Sequence, residues 1–112
     1  MEPVPIYRFE QLVRDALDGL PTDLVPVLDN VVVRVLDRDP DEPDLLGLYD
    51  GVPHTERTGA EGPDVVTIYR LALCEMCADI DELIDEVTVT VIHELAHAAG
   101  IDDEQLHDLG WG

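Results

Sequence analysis

The stretch from Asp79 to Gly100, "DIDELIDEVTVTVIHELAHAAG", constrains the fold more than any other. Leu83, Ile84, Val87, Val91 and Leu95 recur at helical spacing, so this stretch predicts a long amphipathic helix. Gly100 is placed to break or bend it. On such a helix His93 and His97 stand at i and i+4, on one face and a few ångströms apart. Whatever the rest of the chain forms must cover the apolar stripe and leave that face reachable.

The remaining segments supply candidates for the cover. Phe9, Leu12, Val13, Ala16, Leu17 and Leu20 fall at helical spacing, with Gly19 and Pro21 marking the end. "PTDLVPVLDN" is read as a turn or two of helix between its prolines. "NVVVRVLD" is short and β-branched, which predicts a strand. Asp37 to Pro63 is rich in Pro, Gly, Asp and Glu and reads as loop, interrupted by "LLGLY" as a short strand. "DVVTIYR" is a second clear strand, and Leu71 to Ala78 reads as helix. "DDEQLHDLG" closes as a short helix that opens on acidic residues, which suit a helix N-terminus. Strands and helices in this order predict an α+β fold, a sheet of about three strands against helices, as a single domain over residues 1–112.

Charge narrows the partners. The chain of 112 residues carries 26 Asp and Glu against six Arg, with no Lys, for a formal net charge of −20. A field of that sign repels phosphate backbones and anionic lipid, so neither nucleic acid nor a membrane is expected as partner. A hydrophobic fraction of 46% argues for a folded chain in spite of the charge. "MEPVPIYRFEQLV" lacks the basic start and apolar core of a signal peptide. Two cysteines, Cys74 and Cys77, are too few for a secreted disulfide scaffold. The expectation is a cytoplasmic protein, a monomer or a weak homo-oligomer.

Chemistry concentrates late in the chain, where three of the four histidines lie between His93 and His107. His93, Glu94, Leu95, Ala96 and His97 spell H-E-x-x-H. Two imidazole nitrogens one helical turn apart can meet one tetrahedral zinc ion, which lowers the pKa of its water to roughly 7. Glu94 follows the first histidine and can act on that water as general base without being a ligand. A catalytic zinc takes three protein ligands as a rule. The string H-E-x-x-H-x-x-G-x-x-D makes Asp103 the expected third ligand. His107, one helical turn beyond, is the rival, or the partner that orients Asp103 by a hydrogen bond. Asp102 and Glu104 read as solvated acids at a helix start. Metzincins have histidine where Asp103 stands and carry a methionine turn. Here the methionines are Met1 and Met76, so the match to that group is incomplete.

These segments resemble the small bacterial zincin-like metallopeptidase family. "FEQLVRDALDGLP" looks like its opening helix and "LDNVVVRV" like its first strand. "LLGLYDGVPHTER" and "PDVVTIYRLAL" are similar to its middle segments, and "VIHELAHAAGIDDEQLHDLGW" to its metal-binding end. The resemblance implies a minimal zincin core with one zinc on His93 and His97. It fits Asp103 as third ligand and matches Glu94 to the catalytic glutamate. The implied activity is hydrolysis of peptide bonds in a peptide or protein substrate that the resemblance does not identify. The alternative is a non-catalytic module in which zinc staples the last helix to the long one. Glu94 favours the enzyme, because a structural ion has no need of a carboxylate beside an open position.

Other residues carry weaker expectations. Cys74 and Cys77 form C-x-x-C inside a helix and read as buried packing rather than redox chemistry. Tyr49 and Tyr69 read as half-buried strand residues, with oxyanion stabilisation as the functional alternative. His54 reads as a loop histidine and Trp111 as a cap on the last helix. "DVVTIYR" is either an edge strand that could pair with an extended peptide or a fully paired central strand.

Overall fold

The computed structural model describes residues 1–51 and 62–108, apart from the side chains of Asp103 and Leu106. It opens with α1, Ile6–Asp18, which buries Phe9, Leu12, Val13 and Ala16 along one stripe. The Gly19 amide donates to the carbonyls of Asp15 and Ala16 and ends the helix. A 3-10 helix follows over Thr22–Asn30. Pro26 lies inside it and offers no amide hydrogen, which prevents a regular α-helical ladder.

Three strands form one sheet in the order β1-β3-β2. β1 is Val31–Leu36, β2 is Gly47–Asp50 and β3 is Asp64–Tyr69. β1 pairs with β3 in parallel, with Val31 opposite Asp64 and Leu36 opposite Tyr69. β2 pairs with β3 antiparallel, with Gly47 opposite Ile68.

The sheet order decides between the two readings of "DVVTIYR" and removes the edge-strand one. That segment is the central strand, paired on both sides, and cannot accept a further strand. Its burial shows why: Val66, Thr67, Ile68 and Tyr69 are all buried, on both faces. β1 instead alternates between half-buried and exposed positions. A continuous apolar run signals a strand covered on both faces, and an alternating one signals a half-covered edge.

β3 leads directly into α2, Arg70–Met76, which buries Ala72, Leu73 and Cys74. The Arg70 guanidinium fixes this corner by donating to Asp37 Oδ1 and to the Val4 carbonyl. The long helix α3 spans Ile80–Ala98. Asp79 caps its start by accepting from the Glu82 amide at 2.9 Å, while Glu82 accepts from the Ala78 amide at 3.3 Å. The first satisfies an amide that the opening turn of α3 leaves without a partner, and the second ties down the residue before the cap. Leu83, Val87, Val91 and Leu95 are fully buried and form the main core with Phe9, Val66 and Ile68. α3 packs against α1 as well as against β2 and β3. Leu24, from the 3-10 helix, packs on Ala96 and closes the back of the last turns of α3.

After α3 the chain turns at Gly100, whose φ of +82° lies in the left-handed region that glycine tolerates best. The Ile101 amide donates to the Ala96 carbonyl at 2.8 Å, and the Gly100 amide to the His97 carbonyl at 3.0 Å. These are the two hydrogen bonds of a Schellman ending. α4, Asp103–Asp108, follows at once. No described helix is long and apolar enough to cross a membrane.

Leu83 and Ile84 are sequence neighbours with different fates: Leu83 is fully buried and Ile84 is 42% exposed. Leu83→Ala is expected to cost about 2–5 kcal/mol of stability. Ile84→Ala is expected to cost only about 0.5 kcal/mol. Urea denaturation of the two variants measures both, and equal losses would contradict this placement of α3.

Candidate metal centre

The helical period settles which parts of the H-E-x-x-H segment face where. Leu95 and Ala96 turn inward and are fully buried. His93 and His97 remain half-buried on the other side of the helix. Their rings lie edge to face with centroids 4.4 Å apart. Glu94 is buried, at 8% exposure, and its carboxylate oxygen lies 3.9 Å from His97 Nδ1. One donor atom from each of His93, Glu94 and His97 can be chosen so that all three lie within 4.8 Å of one another. Two imidazoles at this separation suit a zinc ion, with the Glu94 carboxylate close beside them. Among the described residues this is the only grouping of three potential ligands.

Glu94 reaches this position because β2 comes very close to α3. A Cβ built on Gly47 would lie 2.8 Å from Thr90 Cγ2 and 3.0 Å from Glu94 Cγ. Only a glycine lets the strand backbone pass there without displacing the Thr90 and Glu94 side chains. Sequence reading missed Gly47 and Thr90. The signal was present, since a lone glycine inside a strand pattern marks a bulge or a close backbone approach.

Past the turn, the acidic residues divide their work. Asp102 Oδ1 accepts from the Gln105 amide at 2.8 Å, and Gln105 Oε1 accepts from the Asp102 amide at 3.0 Å. This reciprocal pair caps α4, so Asp102 serves the helix start. The Schellman turn brings the first residue of α4, Asp103, six positions on from His97. The side chain of Asp103 lies outside the described residues. His107 is exposed in the last turn of α4 and is not one of the three grouped residues. His54 and Trp111 also lie outside the described residues.

The two tyrosines are engaged in the scaffold. Tyr49 donates to Asp64 Oδ2 at 2.7 Å, across β2 and β3. Tyr69 donates to Asp39 Oδ2 at 3.1 Å, and burial followed by that carboxylate raises its pKa. The Asp39 carboxyl is held below its usual range, chiefly by the amides of Glu42 and Asp41. Cys74 and Cys77 are buried free thiols. Burial, then the Glu82 and Glu86 carboxylates, push the Cys77 thiol up to about 11. Near neutrality that sulfur is a packing group rather than a nucleophile.

A family model described as zincin-like metallopeptidase matches residues 28–111. Among solved structures, a conserved hypothetical protein from Thermo thermophilus is similar, with a TM-score of 0.61 at 20% sequence identity. The match covers 86% of this chain and 94% of that one. At that identity the likeness speaks for the fold alone. No curated protein matches the chain.

Gly47→Ala is expected to cost about 1–3 kcal/mol through overpacking against Thr90 and Glu94. Thr90→Ser removes the nearer of the two carbons, so the double variant should regain part of that loss. Thermal melts of the four proteins in the cycle test this, and strict additivity would argue against the contact.

Proposed function

The chain belongs to the zincin-like metallopeptidase family, and from that premise we propose that it is a zinc-dependent peptidase with Glu94 as its general base. In this reading His93 and His97 hold the ion and Asp103 completes the protein ligands. Bound zinc supplies a Lewis acid that polarises the scissile carbonyl and makes water a better nucleophile near neutral pH. Glu94 takes the proton of the attacking water and returns it to the departing amine.

The observation that carries this reading is the position of Glu94. It stands within reach of the two histidines, buried, in the wall of an open cleft between α3 and the segment that enters β2. A carboxylate held there by a glycine-lined approach is poised to act on a molecule in the cleft. A purely structural ion would gain nothing from it. β2 also supplies what β3 does not. It is one of the two end strands of the described sheet, and its Gly47 end borders the cleft. An extended peptide pairing with its outer edge would run beside Glu94.

Metal content and turnover test the reading separately. Wild type and Glu94→Gln should each bind about one zinc per chain by elemental analysis. Glu94→Gln should lower hydrolysis of a peptide mixture about 100-fold or more. Retained hydrolysis would remove Glu94 from the role of base. Stoichiometric zinc in a wild type that cleaves nothing would favour the stapling module instead.

Asp103→Ala should weaken zinc binding by about tenfold or more, since even partners outside the coordination sphere contribute that much. An unchanged affinity, with the loss appearing in His107→Ala, would transfer the third-ligand role to His107.

A further inference from the structure

The cleft beside Glu94 and His93 has a volume of about 380 Å³. Asp44, Leu45 and Leu46 line it from the segment entering β2, and Glu86 and Val89 line it from α3. Glu86 and Val89 precede His93 by seven and four positions, so they share its side of the helix. At 1.5 Å per residue, Glu86 lies about 10 Å along the helix axis from His93. The cleft is therefore a continuation of the candidate site. It has the catalytic carboxylate at one end and a second carboxylate two helical turns away.

Two carboxylates on a chain of net charge −20 would be ordinary surface on their own. Their setting distinguishes these. Leu46 and Val89 give the cleft apolar walls, and among the described residues no arginine lines it. Glu86 is half-buried, and among the described residues it carries no ion pair or hydrogen bond. Arg38 is engaged with Glu75 through two hydrogen bonds, and its field reaches Asp44 only as a lesser influence. Among the described residues the charge at the far end is chiefly that of Glu86, with Asp44 across from it.

We propose that this cleft is a specificity subsite for a lysine or arginine side chain of the substrate, at a position beside the scissile bond. The methylene stem lies along Leu46 and Val89, and the cationic head meets Glu86, with Asp44 as the weaker partner. Long basic side chains match such a surface because their stems are apolar and only their ends need charge or water. The proposal rests on the peptidase reading above for the word substrate, but the binding it describes does not need turnover.

Two end-blocked hexapeptides provide the probe, identical except for lysine or norleucine at one position. Each is titrated into zinc-loaded, isotopically labelled protein, and amide shifts are followed at Leu46 and Val89. The lysine peptide is expected to bind about three- to tenfold tighter at low salt, with the preference shrinking as salt is raised. Glu86→Gln should bring the two peptides close to parity, and Asp44→Asn should reduce the preference less. Equal or tighter binding of norleucine would overturn the proposal and mark the cleft as a plain apolar subsite. So would a lysine preference that survives both substitutions together. Mass spectrometry of the same mixtures reads cleavage independently. Hydrolysis without a lysine preference leaves the peptidase standing and removes the subsite. A lysine preference without hydrolysis keeps the subsite and removes the peptidase.

Discussion

Everything in this structure depends on one helix serving two faces. α3 must bury Leu83, Val87, Val91 and Leu95 to give the domain a core, and the same helix must present His93 and His97 together. The 3.6-residue period makes both possible, because the two sets of positions lie on different sides of one cylinder. The core holds the helix fixed, and a fixed helix is what keeps the two imidazole rings 4.4 Å apart. Preorganisation of this kind lowers the ordering cost that a ligand must offset when it binds.

The other elements follow from that arrangement. α1 covers one flank of α3 and the sheet covers another, with Leu24 sealing the back of the histidine turns. The charge is distributed around this frame without dictating it. Some acidic residues have identifiable structural work: Asp79 caps α3, Asp102 caps α4, Asp37 holds Arg70, Glu75 holds Arg38, Asp39 takes Tyr69 and two loop amides, Asp64 takes Tyr49, and Glu82 takes the Ala78 amide. Most of the remainder lie on the surface, where they set the sign of the field that an approaching molecule meets.

Much of this was legible in the amino-acid order. The long helix, its glycine stop, the two β-branched strands and the H-E-x-x-H grouping all rest on short-range periodicity, and periodicity survives into the fold. The 3-10 geometry of Thr22–Asn30 was half visible, through its prolines. What escaped depends on neighbours distant in sequence. The central place of β3 is a matter of which strands flank it, although its unbroken apolar run pointed that way. Gly47 matters because Thr90 and Glu94, more than forty positions later, press against it. Asp102 and Asp103 look alike in a string of acids, and only the hydrogen bonds to Gln105 show that the first of them is the cap.

The Schellman ending at Gly100 acts as a ruler. Two backbone hydrogen bonds, the packing of Ile101 near Leu24 and Ala96, and the Asp102–Gln105 cap occupy nearly every residue between His97 and α4. No slack is left in that connection. Adding or deleting a single residue there would break at least one of these hydrogen bonds and displace the start of α4 relative to α3. In such a protein the spacing from the second histidine to the last helix is as fixed a quantity as the residues themselves. Evolution at this corner would proceed by exchanging side chains rather than by changing length.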